Sequence, residues 1–149
     1  MVSRAAELIE TLNLEPHPEG GFYRQVYRSP HSVQADDGRD TRSALTAIYF
    51  LLPAGEKSRW HRVRSDEIWT HLEGSPVTLH LFDGTSASNI VVDRMHVVPA
   101  DVWQAAEPNG DYALVACFVA PGFEFSDFSI MIDEADVIAQ LPQELRRLI

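Results

Sequence analysis

The sequence predicts an all-β fold, an antiparallel sandwich or barrel with a short helix at each end. Three observations carry this. Short stretches rich in β-branched and aromatic residues recur along most of the chain. Turn-forming clusters separate them, namely AGEK, RSD, GSP, DGTSAS and EPNGD. No long helical spacer lies between them, as parallel crossovers would require.

The elements follow in order. Residues 3–12 form a helix with Ala5, Leu8, Ile9 and Leu12 on one face, and Ser3 offers a partial cap. Pro16–Gly21, PHPEGG, stops that helix, because two prolines and two glycines force a turn. Strand character then runs through 22–28, 44–52, 58–63, 67–73, 77–83, 89–98 and 112–120, and 29–42 reads as a polar loop. The end, DEADVIAQLPQELRRLI, predicts one or two short helices broken near Pro142. Phe123, Phe125 and Phe128 lie close together and either close the core or offer an apolar patch to a second subunit. A chain of 149 residues suits one domain, 1–149, able to bury a real core.

Composition excludes several functions. A net charge of −10 argues against a nucleic-acid binder, which needs a basic surface. No apolar run is long enough to predict a membrane span. The N-terminus lacks the apolar core of a secretory signal, and Cys117 stands alone in an apolar strand, so a cytoplasmic setting is expected. Eleven of the twelve basic residues are arginine, and seven of them fall between Arg24 and Arg64. Their planar forks suit carboxylate or phosphate, so the expected partner is a small-molecule ligand, anionic if these arginines face it. Solvated arginines paired with the acidic excess are the alternative.

Around RSD (64–66) the geometry sharpens. If those residues close a hairpin, Val63 faces Glu67 and His61 faces Trp69. Alternation then puts His61, Val63, Glu67, Trp69 and His71 on one inward face. Arg59 shares that parity and would meet an anionic ligand. Ile68 and Leu72 would point outward and need a cover, either a helix, a strand or a partner subunit.

The spacing through this region is Gly55, five residues, His61, one residue, Val63, three residues, Glu67, six residues, Gly74. It resembles the first motif of the cupin superfamily, with Val63 where the second histidine of the family belongs. PADVWQ resembles the second motif, with Pro99, Asp101 and Gln104 at its Pro, Gly and His positions. PEGGFYRQVYRS, the stretch from Ala44 to Trp69, and VAPGFEFSDF further resemble the fifth cupin subfamily, across about Leu12 to Ile130. The resemblance implies a double-stranded β-helix, or jelly-roll barrel, and a homodimer sharing strands. It implies no settled activity.

Carried over position by position, the metal ligands of the superfamily become His61, Val63, Glu67 and Gln104. Valine cannot ligate, and an amide oxygen is a poor partner for the metals imidazole favours. His71 lies about 13 Å beyond Glu67 along a straight strand at ~3.3 Å per residue, too far to replace the missing ligand. No cofactor is therefore expected, and any divalent metal would bind weakly through His61, Glu67 and Gln104. What remains is a histidine beside a carboxylate, a general-base arrangement. The resemblance to cupins that epimerise nucleotide-linked sugars implies His61 as base and a tyrosine as acid. Tyr49 and Tyr112, on apolar strands, are the candidates, ahead of Tyr23 and Tyr27 on an edge. Trp69, Gln104, His71, Tyr112 and Arg59 would line the ligand site. Two functions fit: a sugar isomerase or epimerase acting at His61 and Glu67, or a non-catalytic ligand sensor or structural dimer. A metal-dependent oxygenase or decarboxylase needs a ligand the sequence lacks. An open cavity at His61 separates the first from the second.

Overall fold

The computed structural model describes residues 1–149 and folds them into two facing antiparallel sheets. Helix α1 (Arg4–Thr11) leads into β1 (Glu15–Pro16), β2 (Phe22–Arg28), β3 (Ser32–Val33), β4 (Arg42–Ser43) and β5 (Thr46–Pro53). Then come β6 (Ser58–Val63), β7 (Asp66–Gly74), β8 (Val77–Phe82), β9 (Ala87–Val92) and β10 (Met95–Val98). Strands β11 (Trp103–Pro108), β12 (Tyr112–Ala120) and β13 (Phe128–Ile130) complete the set, before α2 (Ala135–Gln140) and a 3-10 turn at Gln143–Leu148. One sheet has the order β1-β2-β5-β12-β7-β10 and the other β13-β6-β11-β8-β9, while β3 and β4 pair as a small separate ribbon, so the stretch 29–42 is not wholly the loop expected. The predicted all-β class holds.

Alternation explains how the sheets pack. Phe50, Leu52, Trp69, Leu79, Val98 and Val115 point between them and form the main core. Burying each such side chain contributes roughly 1.5–3 kcal/mol. The outward faces are covered too. Helix α1 lays Ala5 and Leu8 over Leu51 and Leu114, with Ser3 Oγ accepting from the Ala6 N–H at 3.1 Å. Met131, Leu141 and Leu148 from the C-terminal segment cover Trp60, Phe82 and Trp103. Two covered faces are why β5 and β12 read as unbroken apolar runs.

Three expectations need correction. The segment 89–98 is two strands, because the chain leaves one sheet after Val92 and enters the other at Met95. Trp103–Pro108, not predicted, is a central strand between β6 and β8. RSD does not close a hairpin. Both edges of β6 are taken by β11 and β13, and both edges of β7 by β12 and β10. Residues 64–65 carry the chain from one sheet to the other, so His61 and Glu67 belong to opposite walls of the sandwich. The inward face assigned to His61, Val63, Glu67 and Trp69 survives, since all four are buried. No helix is long and apolar enough to cross a membrane.

Candidate functional site

A cavity of about 240 Å³ remains between the sheets and opens to solvent. One wall carries Tyr23 of β2, Ile48 of β5, Glu67 of β7 and Cys117 of β12. The other carries His61 and Val63 of β6 and Phe128 of β13. His17 and Glu19 reach in from the turn before β2, and Phe123 and Phe125 from the segment after β12.

The turn is shaped for this. Gly20 has φ +104°, and a Cβ there would meet the Lys57 carbonyl oxygen at 2.1 Å. Only glycine lets the chain press so closely on Lys57, the residue that leads into β6. Arg59 holds the turn from the other side, its Nη2 donating to the Pro18 carbonyl at 2.6 Å and its backbone N–H to the Glu19 carbonyl at 2.7 Å. A bulge in β6 frees Arg59 for this: His61 pairs with Gln104 and Ser58 with Ala106, leaving Arg59 and Trp60 opposite one residue. The same bulge turns Ser58 inward, where its hydroxyl donates to Glu19 Oε2.

Glu19 is the hub of the polar floor. His61 Nδ1 lies 2.9 Å from Glu19 Oε2, and His17 Nδ1 lies 3.3 Å from Oε1. Burial by itself would raise the Glu19 pKa, but His61 and His17 hold it below the usual carboxylate range. Burial likewise opposes a charge on His61, and the Glu19 carboxylate outweighs it and raises the imidazolium pKa. For His17, burial wins and lowers it.

Glu67 has a different environment. Gln104 Nε2 donates to Glu67 Oε1 at 2.8 Å, and Gln104 Oε1 accepts from Trp69 Nε1 at 2.9 Å. Burial pushes the Cys117 thiol, which lines the same wall, well up and keeps it protonated, with the charge of Glu67 adding to the effect. Burial pushes Glu67 up to about 7, opposed by His61 and reinforced by Glu19. The cavity therefore holds one fixed ion pair and one carboxyl group poised to titrate near neutrality.

Of the predicted site residues, His61 and Glu67 line the cavity. Gln104 and Trp69 lie behind Glu67 and position it without lining the cavity. The others are elsewhere. Tyr49 and Tyr112 face the opposite side of their sheet and pack under α1, with Tyr112 Oη donating to Glu73 at 2.9 Å. His71 sits near the end of β7, its Nε2 3.1 Å from the Gly74 carbonyl oxygen, outside the cavity. Arg59 braces the turn, for the reason given above. The aromatic wall is made by Tyr23 and the three phenylalanines rather than by tryptophan, with His61 stacked on Phe128 at 5.5 Å.

The arginine cluster is largely occupied by the protein itself. Arg39 Nη1 and Arg42 Nε both donate to Asp127 Oδ2, at 3.1 and 2.9 Å. Arg62 lies over the Trp103 ring at 4.6 Å. Arg28 lines the cavity, but its Nη1 donates to Glu124 at 3.1 Å. His17 and Glu19 were missed because PHPEGG reads as a pure turn. The signal was there: a histidine and a glutamate two apart, followed by paired glycines.

Cupin-type metal chemistry does not fit these donors. Val63 has none, and the Gln104 carbonyl oxygen is committed to Trp69 while its N–H₂ faces Glu67. No three His, Cys, Asp or Glu side chains converge in a metal-holding arrangement. Asp101, at the glycine position of the second motif, keeps the left-handed backbone with φ 67°.

Comparison with known proteins agrees with the fold. The family model described as cupin superfamily (DUF985) matches residues 6–131. The X-ray structure of protein SO0799 from Shewanella oneidensis is similar at 34% identity and TM-score 0.81, covering 99% of this chain and 98% of that one. A hypothetical protein from Leishmania major is similar at 30% identity and TM-score 0.81, covering 93% and 98%. The Saccharomyces cerevisiae protein YML079W is 25% identical over 158 residues, 91% of this chain and 79% of the yeast one.

Proposed function

Since the chain belongs to the cupin superfamily, in its DUF985 family, and that fold hosts many chemistries, we propose a function from its own cavity. The protein binds a small organic molecule between His61 and Glu67 and moves a proton on it, as a sugar isomerase or epimerase does. The observation that carries this is the open cavity itself. A barrel filled by side chains would leave a structural module; here about 240 Å³ stays open against two titratable groups.

The two groups suit opposite tasks. A general base works best with a pKa near the working pH, and Glu67 at about 7 meets that condition. His61 keeps its proton beside Glu19 and serves as the acid. They stand on opposite sheets, so a ligand between them can lose a proton on one side and gain one on the other. That is the geometry of an epimerisation or a 1,2-shift. A sensor would need only the binding half of this arrangement.

A homodimer is part of the same proposal. Met95 and Val97 are exposed, and their register partners Thr70 and Ile68 place them on one face at the free edge of the six-stranded sheet. Leu72 is exposed nearby. A second copy would cover this apolar strip.

The test is a thermal-shift screen with neutral sugars, sugar phosphates, small carboxylic acids and nucleotides, repeated on His61→Ala. Stabilisation by a small ligand that disappears in the variant supports the site. Stabilisation that survives unchanged places the ligand elsewhere and ends the proposal.

A further inference from the structure

His17 shares the cavity with His61, but its hydrogen bonding is reversed. His61 Nδ1 faces two acceptors, the Arg59 carbonyl oxygen at 2.8 Å and Glu19 Oε2 at 2.9 Å. It therefore carries a proton in either charge state. His17 Nδ1 instead accepts the backbone N–H of Glu19 at 3.1 Å, the shorter of its two contacts with that residue. A nitrogen that accepts must offer its lone pair, so the neutral ring bears its proton on Nε2.

That Nε2–H is unused. Neither His17 Nε2 nor His61 Nε2 has a protein partner, and neither is among the sealed, unpartnered atoms of the molecule, so both open on the cavity their residues line. The His17 ring is also held in place. Tyr23 meets it edge-on at 4.5 Å, with Phe50 at 5.9 Å and Phe128 at 6.0 Å. An apolar cage of this kind favours the neutral ring.

No free cation accompanies it. The guanidinium of Arg28, the arginine that lines the cavity, has its charge matched by Glu124, 3.1 Å from Nη1, while Nε donates to Gln25 at 3.2 Å and Nη2 to the Phe123 carbonyl at 3.0 Å. The positive charge of His61 is matched by Glu19. A ligand carrying phosphate or carboxylate would meet only cations already paired with Glu124 and Glu19. The volume, about 240 Å³, is below the ~300–1,000 Å³ of drug-sized sites.

We propose that His17 is a catalytic hydrogen-bond donor whose Nε2–H receives the carbonyl oxygen of a small, uncharged, enolisable aldehyde or ketone. This rests on the acid–base function proposed above and names its substrate class. Glu67 takes a proton from the carbon next to the carbonyl. The C–H electron pair becomes the C=C bond, and the carbonyl π pair moves onto oxygen, where His17 N–H stabilises the negative charge. As the C=O bond re-forms, His61 supplies a proton from the opposite side. It goes to the same carbon for an inversion, or to the former carbonyl carbon for a 1,2-shift, in which the proton of the neighbouring hydroxyl passes to the enolate oxygen. Exchange with solvent then returns Glu67 to the carboxylate and His61 to the imidazolium.

The experiment follows loss of the α-C–H signal by proton NMR in D₂O, with dihydroxyacetone and glyceraldehyde as neutral probes and dihydroxyacetone phosphate as the anionic one. Wild type, His17→Phe, His17→Gln and His61→Ala are compared after thermal melts confirm folding. The proposal expects exchange of a neutral probe, at least ten times slower exchange of the phosphate ester, and a loss of about 10²–10³-fold in His17→Phe. His17→Gln, which keeps an N–H donor in reach, should recover most of that loss. Nitrogen-15 NMR of wild type should place the His17 proton on Nε2. Full exchange in His17→Phe overturns the role of His17 and leaves the acid–base function standing. A His17 proton on Nδ1, or His17→Gln as slow as His17→Phe, also overturns that role. Faster exchange of the phosphate ester overturns the uncharged class. No exchange of any probe by wild type overturns both proposals.

Discussion

His61 Nδ1 lies 2.9 Å from Glu19 Oε2, a buried ion pair that joins a sheet strand to the PHPEGG turn. The turn is thereby part of the site, and its position depends on the charge at its tip. Removing one partner of a buried pair typically costs about 3–5 kcal/mol, because the other charge is left uncompensated. Glu19→Gln should destabilise the protein by that order in urea unfolding. It should also lower the His61 pKa, followed by NMR titration, since Glu19 is what raises it. A loss below about 1 kcal/mol with an unmoved His61 would mean the pair is not formed.

Glu67 sets a pH dependence of stability with a definite sign. Its folded pKa, about 7, stands above the ordinary 4.5. Between those values the folded chain keeps a proton that the unfolded chain has released, so stability falls as pH rises through the window. At roughly 1.4 kcal/mol for each pH unit between the two values, the loss is of order 3 kcal/mol. His61 acts in the same direction, its stabilisation present below 6.5 and lost as pH rises through its raised folded value. His17, with a lowered pKa, works the other way up to 6.5. Both histidines are common to wild type and Glu67→Gln, so the difference reports Glu67 together with its coupling to His61. The melting temperature of wild type should fall relative to the variant from pH 5 to pH 7.5. Parallel curves would refute the raised carboxyl.

Metal content follows from the donor set. The purified protein should hold well under one transition-metal ion per chain by elemental analysis. Installing His at both motif positions, Val63→His with Gln104→His, should raise affinity sharply, because it supplies the imidazoles the scaffold spacing expects. Near-stoichiometric metal in wild type would contradict this.

Assembly is tested by light scattering at micromolar concentration. The wild type should have the mass of a dimer, and Met95→Lys with Val97→Lys should be a monomer that stays folded. A monomeric wild type would leave the apolar strip unexplained.

Much of this was legible in the residues. The strands at 22–28, 58–63 and 112–120 fall where alternation and turn signals put them, and His61 and Glu67 were marked by spacing. What could not be read was which strands pair. RSD has the length and chemistry of a hairpin loop, and only competition from β11 and β13 for the edges of β6 sends the chain across to the other sheet. An apolar β5 makes Tyr49 a candidate, but a strand covered on both faces gives no sign of which side meets the cavity. The β6 bulge removed Arg59 from the parity that assigned it inward. His17 and Glu19 stand on no strand, so no periodicity could mark them.

Proton transfer at Glu67 is the step on which the proposed function rests, and deuterium exchange measures it most directly. Dihydroxyacetone or glyceraldehyde is incubated in D₂O with wild type and with Glu67→Gln, which keeps the size and the Gln104 contact but cannot accept a proton. Wild type should exchange the α-C–H, and Glu67→Gln should do so at least a hundredfold more slowly. Equal exchange by the two proteins, or none by wild type, would contradict a proton transfer at Glu67.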